Sequence, residues 1–97
     1  MRERILKIVT RVIGEVNDEM QYENLNNPNE NTIIFDGDNG IDSLSLVLLV
    51  STVEAEINKE FSSNILVASE KAMSMRNSPF RTVDSLTTFI EAELTAS

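Results

Sequence analysis

The sequence predicts an all-α fold, a four-helix bundle with a long first connection and a short third helix. Three observations lead there. Apolar residues recur at helical spacing near both ends of the chain and through its middle. An Asn-rich stretch without any period, residues 19–42, separates the first two helical segments. Asn77-Ser78-Pro79 then interrupts the pattern before the last helix begins.

Ile5, Leu6, Ile8, Val9, Val12, Ile13 and Val16 share one side of a helix over about 2–17, with Arg4, Lys7, Arg11 and Glu15 opposite. In the following loop Pro28, Gly37 and Gly40 join Asn24, Asn26, Asn27, Asn29 and Asn31, and Ile33-Ile34-Phe35 is the expected anchor to the core. A second helix is predicted over 43–60, with Leu46, Val47, Leu49, Val50, Val53, Ile57 and Phe61 on one broad face. Ser45, Thr52, Glu56 and Lys59 lie opposite. A short helix is expected near 67–75. The last runs over 83–94, with Thr82 as N-cap and Val83, Leu86, Phe89 and Ile90 as its buried stripe. The whole of 1–97 reads as one domain.

Composition narrows the chemistry. The 97 residues contain no Cys and no His, which removes disulfides, thiolate nucleophiles and the commonest general base. Net charge is −8, and residues 19–42 carry six acids and no basic side chain. Such a field repels nucleic acid and anionic membranes and favours basic protein partners; acidity that serves only solubility is the alternative. Charges cut every apolar run of MRERILKIVTRVIGEV, so neither a signal peptide nor a membrane span is expected. The cytosol is the expected compartment, and nothing suggests oligomerisation.

The segment Phe35 to Leu44, FDGDNGIDSL, carries the functional reading. Ser43 is predicted to open the second helix, where unpaired N–H groups and the helix dipole favour an anion by about 0.3–1 kcal/mol at an exposed site. A phosphodiester on its hydroxyl would lie in that field. Asp42 can cap the same helix, and as an isolated pair Asp-Ser is an ordinary N-cap. In its full context the segment resembles the attachment site of acyl carrier proteins, at Phe35, Asp38, Gly40, Asp42, Ser43 and Leu44. Val47, Val50, Val53 and Ile57 resemble that family's buried second-helix positions. Thr82-Val83, Leu86 and Phe89-Ile90 resemble its last-helix signature, so the resemblance spans nearly the whole chain.

The resemblance implies a four-helix bundle of acyl-carrier type. Ser43 would bear 4′-phosphopantetheine, flanked by Asp42 and Leu44. Asp42 would help hold magnesium while a separate phosphopantetheinyl transferase delivers the arm from coenzyme A. Ser43 is then a substrate and the chain is not itself an enzyme. Acyl-loading and acyl-transferring enzymes would be its partners. Fatty-acid, lipid or polyketide-type cargo is the first reading. An aminoacyl or peptidyl carrier and an unmodified helical adaptor remain alternatives.

Two competing motifs fail. Asp84-Ser85-Leu86 repeats the tripeptide inside the first turn of the last helix, without the preceding Gly and loop. DGDNGID suggests a calcium loop, but neither register places the acids, the sixth-position Gly and the twelfth-position Glu together, so no metal site is expected.

The chain also departs from the family. Ser45 and Leu48 stand where acidic residues usually face partner enzymes, and Asn39 replaces an apolar residue before the Gly, which is expected to loosen the loop. The interval from Ile65 to Thr82 is long and contains MSMRNSPF. These departures suggest a specialised carrier rather than a housekeeping one. Leu48 lies about 180° from the buried face and one turn beyond Leu44. Burying a Leu gains about 1.5–3 kcal/mol, so an exposed pair forgoes that gain unless a partner covers it. Leu44 and Leu48 are therefore candidate docking residues, and Glu54 is a further candidate for partner recognition; ordinary surface Leu is the alternative. Leu46, Val47 and Val50 are candidates to line an acyl pocket, or simply core.

Overall fold

The computed structural model describes residues 1–36, 39–67 and 79–96. The predominantly helical architecture expected from the periodicity is present. Helix α1 spans Arg2–Met20, α2 spans Ser43–Phe61, and α3 spans Val83–Ala96. Each runs one to three residues beyond its predicted C-terminal bound. The short helix expected at 67–75 and the MSMRNSPF segment lie outside the described residues, Val67 and Pro79-Phe80 excepted.

α1 packs against both α2 and α3. It can do so because its apolar stripe is wide: Ile5, Ile8, Val9, Val12 and Ile13 are all buried, while Leu6 and Val16 flank them half-buried. Leu46, Leu49, Val50, Val53 and Ile57 of α2, with Val83, Leu86 and Ile90 of α3, complete the same core. Gln21 and Ser62, both in the left-handed region, end α1 and α2 by returning their amides to Asn17 and Asn58.

The first connection has more structure than a loop. A 3-10 turn at Glu23–Leu25 buries Leu25 completely. Strands β1 (Phe35–Asp36) and β2 (Asn39–Gly40) form a minimal antiparallel hairpin. Asn39, expected to loosen this segment, is instead paired with Asp36 in that ladder. Of the expected anchor, only Ile34 is fully buried; Phe35 packs partly against the core and Ile33 is 41% exposed. Leu25 and Ile41 supply the remaining anchorage. The connection is also tied to the start of α3. The Ile34 amide donates to the Arg81 carbonyl at 2.8 Å, and the Val83 and Asp84 amides donate to the Thr32 and Glu30 carbonyls.

No helix among the described residues is long and apolar enough to cross a membrane.

Candidate functional site

The hairpin delivers the chain to the start of α2. Gly40 adopts φ +91°, and a Cβ there would stand 2.3 Å from the Ile34 carbonyl oxygen. That oxygen accepts the Ile41 amide at 2.9 Å, so the backbones must close tightly. The Gly is thus fixed by local geometry. Ile41 turns into the core, and Asp42 and Ser43 emerge exposed immediately after it.

Asp42 is the N-cap of α2, and its Oδ1 accepts the Ser45 amide at 2.7 Å. Ser43 is the first helical residue, and its hydroxyl makes no hydrogen bond with any described residue. The Ser45 amide is the largest cause holding the Asp42 carboxyl below its ordinary value of 3.8. The Ser45 hydroxyl adds to it, desolvation opposes it, and Tyr22 and the Leu44 amide add smaller contributions in the same downward direction. A carboxylate and an open hydroxyl therefore stand side by side at a helix mouth.

Tyr22 reaches this place from the other end of the loop, a role that sequence reading missed. Its hydroxyl donates to Asp42 Oδ2 at 3.3 Å, lies 3.4 Å from Ser45 Oγ and accepts the Asp42 amide at 3.5 Å. Its backbone is held by Asn17, a buried residue in the last turn of α1. Asn17 Oδ1 accepts the Tyr22 amide at 2.8 Å, and Asn17 Nδ2 donates to the Tyr22 carbonyl at 2.9 Å. The one available signal was an Asn placed four residues beyond Ile13, in line with the apolar stripe of α1.

The predicted docking and lining residues separate into three groups. Leu44 is 83% exposed and Leu48 55% exposed, so both stand on the outer face of α2. Val47, expected on the buried face and in a pocket lining, is 45% exposed instead. The reason is angular: it lies about 100° from the centre of the stripe that α1 covers. Leu46 and Val50 are closed into the core, so the three do not share one lining. Ser45, Thr52 and Glu56, expected opposite the core, are half-buried. Tyr22 approaches Ser45, and Arg11 approaches Glu56 at 3.6 Å. Glu54 is half-buried too, and its Oε1 accepts the Val67 amide at 2.6 Å. It therefore has an internal partner and helps fix the chain after α2.

The second Asp-Ser-Leu is closed. Ser85 Oγ accepts the Thr82 amide at 3.0 Å and faces the Pro79 and Thr82 carbonyls at the same distance. Thr82 Oγ1 accepts the Ser85 amide in return, a reciprocal cap that secures α3. Ser85 is part of a helix start that consumes its own hydroxyl; Ser43 is not. An open groove of about 760 Å³, lined by Met1, Phe61, Leu66 and Leu94 among others, lies at the far end of α2. The eighteen helical rises from Ser43 to Phe61 put it about 27 Å away.

Comparison with protein-family models, with curated proteins and with solved structures returns no match to this chain. The geometry around Ser43 therefore carries the functional reading.

Proposed function

We propose that this protein is an acyl carrier protein, with 4′-phosphopantetheine attached to Ser43. The observation that carries the reading is the state of one hydroxyl. Ser43 Oγ is exposed, without a hydrogen-bond partner among described residues, and first in a helix capped by the adjacent Asp42. Covalent attachment needs an accessible oxygen, and an anionic phosphodiester is favoured at a helix N-terminus. The residues present fit such a group: Asp42 engages the Leu44, Ser45 and Leu46 amides, which leaves the Ser43 amide and the helix dipole to favour an anion, and no carboxylate other than Asp42 adjoins Ser43 in sequence.

Ser43 acts as an acceptor. A separate phosphopantetheinyl transferase would join Ser43 Oγ to the phosphorus nearer the pantetheine of coenzyme A. The hydroxyl proton leaves with a base of that enzyme, and adenosine 3′,5′-bisphosphate departs. The arm then supplies the thiol that holds acyl cargo as a thioester. Leu44 and Leu48, joined by Val47, form an apolar docking strip beside the attachment point. Residues 43–53 contain no charged side chain, although the chain carries a net −8. A partner with an apolar recess and a basic rim suits that contrast.

Incubation with coenzyme A and a broad-specificity transferase, read by intact mass, tests the proposal. Wild type and Ser85→Ala should each gain one phosphopantetheine, and Ser43→Ala none. A wild-type chain that stays unmodified, or a Ser43→Ala chain that is modified, would overturn it.

A further inference from the structure

Between the buried end of α1 and the exposed start of α2 runs one continuous set of contacts. Asn17 is 5% exposed and spends its whole amide on the loop: one oxygen on the Tyr22 amide, one nitrogen shared by the Tyr22 carbonyl and Asn26 Oδ1. The Tyr22 backbone is thereby fixed to a helix packed in the core. Its ring packs partly against that core, so the hydroxyl is carried to a set position. That hydroxyl meets Asp42 twice, at Oδ2 and at the amide, and approaches Ser45 Oγ. Asp42 then has one oxygen for the helix cap and the other for Tyr22.

We propose that Asn17 and Tyr22 form a brace that sets the first turn of α2, with Tyr22 a positioning residue for Asp42 and, through it, for Ser43. The exposed pair Asp42-Ser43 has no packing of its own to hold it. A carboxylate cap alone leaves rotation about its side-chain bonds, and a phenol on the second oxygen removes it. The consequence for Ser43 rests on the carrier reading; the brace itself does not. The Tyr22 hydroxyl bonds Asp42 and Ser45 and neither leucine side chain, so deleting that hydroxyl should leave docking through Leu44 and Leu48 intact.

Tyr22→Phe keeps the ring and deletes only the hydroxyl. Hydrogen exchange should show the Ser45 amide opening faster by about threefold to tenfold in this variant, with the melting temperature little changed. In transferase assays with coenzyme A, kcat for Ser43 should fall by a similar factor while KM for the carrier stays constant. In an Asp42→Ala background the same change should have a smaller effect, because the carboxylate contact is already lost and only the amide contact at position 42 remains. Unchanged Ser45 exchange in Tyr22→Phe overturns the brace. Normal exchange loss with unchanged kcat overturns the positioning of Ser43. If wild type is not modified at all, the carrier reading fails, and Ser45 exchange alone decides the brace.

Discussion

Gly40 holds φ +91° with a Cβ-excluding contact of 2.3 Å to a backbone oxygen, so the site depends on a residue that makes no side-chain interaction. Gly40→Ala should cost about 1–2 kcal/mol from the left-handed conformation alone, with the clash adding to it. Denaturant unfolding will read this; a loss below about 0.5 kcal/mol would contradict the tight closure on Ile34. Asp42 offers a second test. Its folded pKa is depressed, so its capping contribution is complete above the unfolded value of 3.8 and disappears as pH falls through the lower folded value. The Ser45 amide resonance should titrate with a midpoint below 3.8; a midpoint at or above it contradicts the cap. At this scale Asp42 and Ser43 were legible because helix starts are written in a few adjacent residues. Tyr22 was not, because nothing in a loop without periodicity links position 22 to position 42.

Among the elements, α2 is the most unusual. Its buried stripe was readable at 100° per residue, but the edges of that stripe were not. Val47 and Ser45 exchange their expected surroundings because α1 and the Tyr22 segment approach α2 from one side only. What remains outside is an uncharged strip centred on Leu44 and Leu48. Leu48→Glu should change stability by no more than about 0.5 kcal/mol, since the side chain is already exposed. It should lower acyl loading by partner enzymes, and unchanged loading would remove Leu48 from the docking surface. At the end of α1, Asn17→Ala leaves the Tyr22 amide without its partner and the Tyr22 carbonyl with the Leu25 amide alone. It should cost about 1–3 kcal/mol in denaturant unfolding. The helix starts at Arg2, Ser43 and Val83 were legible, whereas the helix ends were not, and the two-residue strands were too short to leave a pattern.

For the molecule as a whole, charge is arranged in two ways. Arg2 pairs with Asp84, Arg4 with Glu60 at 2.6 Å and Arg11 with Glu56 at 3.6 Å, so basic side chains of α1 reach acids on both neighbouring helices. Each of these pairs has at least one exposed member and contributes about 0–1 kcal/mol. Against them stands the self-repulsion of a net −8. Raising ionic strength from about 0.01 M to about 1 M shortens the Debye length from roughly 30 Å to roughly 3 Å and screens both. The excess of like charge should dominate, and the melting temperature should rise with salt; a fall would give the ion pairs the larger role. The all-α organisation was legible because core periodicity is a property of the whole chain. The stitching of the first connection to α3 was not, because backbone pairing between Thr32–Phe35 and Arg81–Val83 leaves no residue signature.

The most direct measurement is fragmentation of the transferase-treated protein to locate its new mass. The account predicts the phosphopantetheine on the peptide containing Ser43, at that oxygen, with Ser45 and Ser85 bare. A modification found on any other residue, or none after exhaustive reaction, contradicts it.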